Sequence, residues 1–158
     1  FDPNQYVKQK VTAGEKVSWI NGPDEVTEGY YSLAICNLVL CEIENDEEAT
    51  DVLRIISRSI RDDGRALITV CNPESISANC TTTIERPDVV ITNGKISYDK
   101  IVRSTGRTRT EHTRSLDLLE GLAKLAGLKI SKIFHSPGIN VDDCTDASEY
   151  LGLEMSKI

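Results

Sequence analysis

Leu33-Ala34-Ile35-Cys36-Asn37-Leu38-Val39-Leu40 is apolar at every position but Asn37. An acidic stretch, Glu44-Asn45-Asp46-Glu47-Glu48, comes next, then Ala49, Val52, Leu53, Ile56 and Ile60, then Ala66-Leu67-Ile68-Thr69-Val70. The first run has the pattern of a strand covered on both faces, as in a parallel sheet. The middle set recurs at three- and four-residue steps and so lines one face of a helix, with carboxylates at the positive end of its dipole. Asp62-Asp63-Gly64 is expected to stop that helix, with Gly64 in the left-handed capping conformation. Strand, helix and strand in so short a span predict a parallel crossover unit.

Outward from this unit the pattern continues. Val17-Ser18-Trp19-Ile20 alternates briefly and runs into the turn signal Asn21-Gly22-Pro23-Asp24, so it reads as a short strand and loop. The stretch 72–113 is polar, rich in Thr and Ser, and reads as irregular. Order resumes at Ser115, a good N-cap, followed by the apolar face Leu118, Leu119, Leu122, Leu125 and Ala126, with Gly127 as the stop. Leu128 to Phe134 predicts a strand, and Leu151, Leu153 and Met155 alternate as a last one. No helix separates those two, so they are expected to pair antiparallel. The prediction is an α/β sheet, mostly parallel, with an antiparallel last strand.

A chain of 158 residues with 25 acidic against 18 basic side chains carries a formal charge of −7. That length suits one domain able to bury its own core. No apolar run reaches the roughly 18 residues of a membrane span, and no basic stretch leads into an apolar core as in a signal peptide. The acidic balance makes nucleic acid an unfavourable general partner. Cys36, Cys41, Cys71, Cys80 and Cys144 are odd in number and never spaced C-x-x-C, which fits reduced, mostly buried thiols in a cytoplasmic protein. His112 and His135 do not supply the spaced pairs of a zinc site, so no metal is expected.

Charge is unevenly spread. From Arg86 to Arg114 there are seven basic and three acidic side chains, a net of +4 that leaves −11 for the rest. Arg103, Arg107 and Arg109 suit bidentate recognition of a carboxylate or phosphate, and an exposed hairpin with ordinary surface charges is the competing reading. His112 lies in the same segment, either as a general base or as a packed residue.

Several motifs share one resemblance. Tyr30 to Leu40, Ile60-Arg61-Asp62-Asp63-Gly64-Arg65-Ala66-Leu67-Ile68, Glu111-His112-Thr113-Arg114-Ser115-Leu116, Leu125 to Ile130 and Glu149 to Lys157 follow in order. In that order they resemble strands four to seven of the class I methyltransferases that use S-adenosylmethionine, particularly the small-molecule type. Phe1-Asp2-Pro3-Asn4 looks like the end of that family's second strand. The resemblance implies a Rossmann-like sheet over a single domain, 1–158, with a substrate-lid insert at about 72–114. It implies methyl transfer to a small molecule, with an anionic one suggested by the basic insert.

The site residues follow from the same resemblance. Asp2, with Pro3, would hold the cofactor ribose, and a local turn is the alternative. Gly22 and Asp24 would border the adenine, against plain turn chemistry. Cys36, Asn37 and Leu38, where the fourth strand ends, would border the methionine moiety, with a backbone-bonded amide as the alternative for Asn37. Glu42 would serve as a base or hold an amine. The family's glycine-rich loop has no counterpart, since Gly14, Gly22 and Gly29 are isolated. The expectation is therefore a domain incomplete at its N-terminus, completed by a missing segment or a second chain. A non-catalytic methyltransferase-like binding module and an RNA methyltransferase using Arg103, Arg107 and Arg109 are the rival readings.

Overall fold

Asn45 begins the central helix by accepting a bond from the Glu47 amide at 2.7 Å, the Asx capping geometry expected before an acidic first turn. In a computed structural model, described for residues 22–77, 84–86, 88–102, 105–135 and 150–158, this helix, α1, spans Asp46–Ser59. It follows strand β1 (Tyr31–Asn37) and leads directly into β2 (Ile60–Cys71), which pairs parallel with β1. The crossover unit is therefore as expected.

Its joints are not. Gly64 does not cap the helix: it lies inside β2, where the register with β1 shifts between Tyr31 and Leu33. An added Cβ there would lie 2.9 Å from the Arg61 nitrogen and 3.0 Å from the Tyr31 oxygen. The glycine thus serves a bulge, where two backbones approach closely. The apolar run also does not extend to Leu40. β1 stops at Asn37, Leu38 turns with φ 57°, and Leu40–Glu42 forms a 3₁₀ turn that sends Leu40 and Cys41 into the core.

A short helix, α2 (Pro73–Ser77), follows β2. The segment read as irregular is then largely a second sheet: β3 (Ile84–Glu85), β4 (Val90–Thr92), β5 (Lys95–Val102) and β6 (Arg107–Arg114). β3 and β4 pair antiparallel with β5, as does β6. Asn93 and Gly94, with φ of 51° and 80°, form the two-residue turn between β4 and β5, the usual chemistry of a primed hairpin turn.

Helix α3 (Leu116–Leu125) is capped by Ser115 and followed by Gly127 at φ 78°, as expected. β7 (Leu128–His135) and β8 (Tyr150–Lys157) pair antiparallel, also as expected. β8 lies between β2 and β7, giving the sheet order β1-β2-β8-β7. β7 therefore runs with β1 and β2, and the last strand alone opposes them. Among the described residues one ladder is parallel and two are antiparallel, so the sheet is mixed rather than mostly parallel.

Ala66, Ile68 and Val70 of β2 meet Met155, Leu153 and Leu151 of β8. With Ala49, Leu53 and Ile56 of α1 and Leu119, Leu122 and Ala123 of α3 they make the core. The opposite sheet face differs from expectation. Leu33 and Ile35 are 52% and 71% exposed, so among the described residues β1 is covered on one face. The readings for Asp2, Pro3, Val17–Ile20, Arg103, Cys80 and Cys144 lie outside the described residues.

Candidate functional site

In an open α/β sheet, ligands bind beyond the carboxyl ends of parallel strands. Here those ends are Asn37 of β1 and Cys71 of β2. Asn37 is exposed, so the buried amide expected there is instead a solvent-facing one. Leu38 donates its amide to the Thr69 carbonyl at 2.9 Å while holding a positive φ. A bulky residue in the left-handed region is strained, and such strain gathers at ligand-binding turns. Cys36 points the other way, into the core, and burial raises its thiol pKa.

The hairpin β5–β6 reaches these strand ends through polar contacts. Thr113 donates its hydroxyl to the Cys71 carbonyl at 2.9 Å. Arg114 is 2% exposed, yet its guanidinium donates to Asp46 at 2.7 Å and to the Leu40 and Ile43 carbonyls at 3.0 and 2.9 Å. A buried guanidinium is tolerated only with its donors so matched. It fixes the Leu40–Glu44 loop, and with it Glu42.

Glu42 forms an ion pair with Arg109. The structure thus brings together two candidates from opposite ends of the chain's reading. Next to them lies a buried cluster around Glu111, whose carboxylate accepts from the Tyr98 hydroxyl at 2.9 Å, from Lys100 at 2.9 Å and from the Cys71 thiol at 3.8 Å. Burial raises the Tyr98 pKa, keeping the phenol protonated as donor. Cys41 receives the Cys71 amide at 3.3 Å. The hydrogen bond between the two thiols raises the Cys41 pKa and lowers that of Cys71. Lys100, Arg107, Thr108, Arg109 and Glu111 line a cleft of about 410 Å³, within the range of small-molecule sites.

His112 is not brought to this cleft. It follows Glu111 in β6, so its side chain takes the opposite face, where its Nδ1 lies 2.9 Å from the Ser97 hydroxyl. Gly22 and Asp24 stand at the Pro23–Glu25 3₁₀ turn, with Asp24 exposed. Tyr98, Lys100, Cys71 and Glu111 were not candidates from sequence. The available signal was the alternation Arg107, Arg109, Glu111, which marks one face of a strand.

Among the described residues no helix is long and apolar enough to cross a membrane, and no group of three or more His, Cys, Asp or Glu could hold a metal. No family model matches the chain, and no curated protein matches its sequence. Solved structures do match. A putative S-adenosylmethionine-dependent methyltransferase from Listeria monocytogenes aligns with 98% of this chain and 75% of its own, at TM-score 0.65 and 12% identity. A Clostridium acetobutylicum S-adenosylmethionine-dependent methyltransferase aligns over 98% of this chain and 69% of its own, at TM-score 0.58 and 13% identity. The chain has the class I methyltransferase fold. A third match is the Burkholderia thailandensis 1,6-didemethyltoxoflavin-N1-methyltransferase, solved with 1,6-didemethyltoxoflavin and S-adenosylhomocysteine, at 16% identity and TM-score 0.61. This chain spans 58% of that protein's length.

Proposed function

We propose that this chain takes part in transferring a methyl group from S-adenosylmethionine to a small-molecule acceptor. The observation that carries the reading is the strained Leu38 turn at the carboxyl end of β1, open beside exposed Asn37. The fold likeness to S-adenosylmethionine-dependent enzymes supports it.

In this reading Asn37 and Leu38, with the Cys36 backbone, border the methionine moiety. Gly22 and Asp24 border the adenine, and Asp2 with Pro3 the ribose. The acceptor lies along the hairpin, against Arg107 and Arg109, and Arg103 belongs to the same basic segment. Transfer is an in-line displacement at the sulfonium methyl, so alignment and exclusion of water are the protein's main contributions. Where the acceptor arrives protonated, Glu42 takes the proton, since it stands at the cleft and His112 does not.

Calorimetric titration of S-adenosylmethionine into the chain tests this. Saturable heat, weakened by Leu38→Pro, which removes the amide bonded to Thr69, is the expected result. No heat with the folded chain overturns the reading.

A further inference from the structure

The β5–β6 ladder sets Lys100 opposite Arg109, Tyr98 opposite Glu111 and Val102 opposite Arg107. Alternation then gathers Lys100, Arg107 and Arg109 on the face that holds Glu111. Like charges directly opposite one another destabilise a sheet, so each cation there calls for a counter-charge. Two have one. Arg109 pairs with Glu42, and Lys100 with Glu111 at 2.9 Å. Arg107 has no acidic partner among the described residues and is exposed. Lys100 spends one of its three ammonium donors on Glu111.

The charged side chains lining the cleft are thus three cations and one carboxylate. Its lining is two charges positive, in a chain whose net charge is −7. Lys100 and Arg107 are diagonal neighbours across the ladder, a relation that places them on the order of 7–8 Å apart. From backbone positions at that spacing an arginine fork and a long lysine stem, with two ammonium donors left beside Glu111, can converge on one oxyanion. At about 410 Å³ the cleft suits a small molecule rather than a polyanion.

We propose that Arg107 and Lys100 form a subsite for a single carboxylate or phosphate group on a small molecule. Arg109 is not its anchor, because Glu42 already occupies it. Glu111 stands four residues along β6 from Arg107, about 13 Å at strand rise, and reaches the Cys71 thiol at the end of β2. The charged group therefore sits at the outer end of the cleft, and the rest of the molecule extends inward towards the strand ends. That the inward end is the methyl acceptor rests on the function proposed above; the anion subsite does not.

The test is a titration of the full chain with inorganic phosphate and, separately, with acetate, at ionic strength held constant with chloride. Side-chain resonances of Arg107 and Lys100 report binding. Saturable shifts at both are expected, with affinity falling tenfold or more in Arg107→Gln. Lys100→Arg, which keeps the charge, should hold affinity within about threefold, and the distant surface change Lys124→Gln should leave it unchanged. Phosphate binding at least tenfold tighter than acetate assigns the subsite to a phosphate ester; comparable binding assigns it to a carboxylate. Shifts no different from those in chloride, or an unchanged affinity in Arg107→Gln, overturn the proposal. S-adenosylmethionine binding without phosphate binding removes the subsite and leaves the methyl-transfer reading. Phosphate binding without S-adenosylmethionine binding does the reverse.

Discussion

Where β2 meets β8 and α1, the contact is apolar. Ile68 and Leu153 are fully buried, and any of several aliphatic residues of similar volume would serve at each place. Where β6 meets the same body, the contact is polar and particular. Thr113 bonds the Cys71 carbonyl, Glu111 gathers Tyr98, Lys100 and Cys71, and Arg114 closes on Asp46 and two carbonyls. The first contact tolerates variation because transfer from water depends on area rather than direction. The second fails when one partner is removed, because the others are left buried and unmatched. The site sits at the second, where direction matters.

The sharpest way to break this contrast is Arg114→Met. Methionine fills much of the space and keeps the apolar stem, but Asp46 and the Leu40 and Ile43 carbonyls lose their donor. Leaving the two carbonyls without a donor costs about 1–3 kcal/mol each, while Asp46, 40% exposed at its side chain, is partly solvated and adds less. Denaturant unfolding should show that loss. Arg114→Lys should recover little of it, since one ammonium cannot span three acceptors in fork geometry.

A smaller effect tests the seam between the two regions. Gly94 sits at φ 80°, its carbonyl accepts the Ser115 amide at 2.7 Å, and an added Cβ would stand 2.7 Å from the Ser115 hydroxyl. Gly94→Ala therefore strains the hairpin turn and displaces the N-cap of α3 together. The expected cost is about 1–3 kcal/mol, read by thermal or denaturant unfolding. Asn93→Gly, at φ 51° and free of that contact, should be neutral or mildly stabilising by the same measurement.

The contrast also explains what sequence reading reached. Helix α3 was legible to its ends because Ser115 and Gly127 act locally. The antiparallel pairing of β7 and β8 followed from the lack of a helix between them. Gly64 defies its local reading because Asp62-Asp63-Gly64 carries a strong turn signal, overridden by the register shift against β1, a partner more than thirty residues away. The hairpin sheet was hidden for a related reason. Its strand β6 has no apolar residue, so the apolar alternation that reveals a half-buried strand is missing there, and only pairing with β5 organises it. Of the site, Glu42, Arg107 and Arg109 were named as separate candidates. Glu111 and Lys100 were counted as surface charge, because nothing local marks a carboxylate that will be buried against Tyr98.

Alkaline pH separates the two regions without mutation. The aliphatic contacts of β2 carry no proton, whereas the Tyr98 phenol is buried with a pKa above its ordinary one, and the shifts of Cys41 and Cys71 oppose one another. The folded state holds the phenol proton more tightly than the unfolded chain does. The stabilisation is therefore complete below the unfolded pKa, about 10 for the phenol, and declines as pH rises above that value. The slope from this group is at most about 1.4 kcal/mol per pH unit. Unfolding free energy measured in urea should fall as pH rises above about 10. Tyr98→Phe lowers the plateau, since Glu111 loses a donor, but should flatten the decline above about pH 10. An equal slope in wild type and Tyr98→Phe would place the alkaline sensitivity outside the Glu111 cluster.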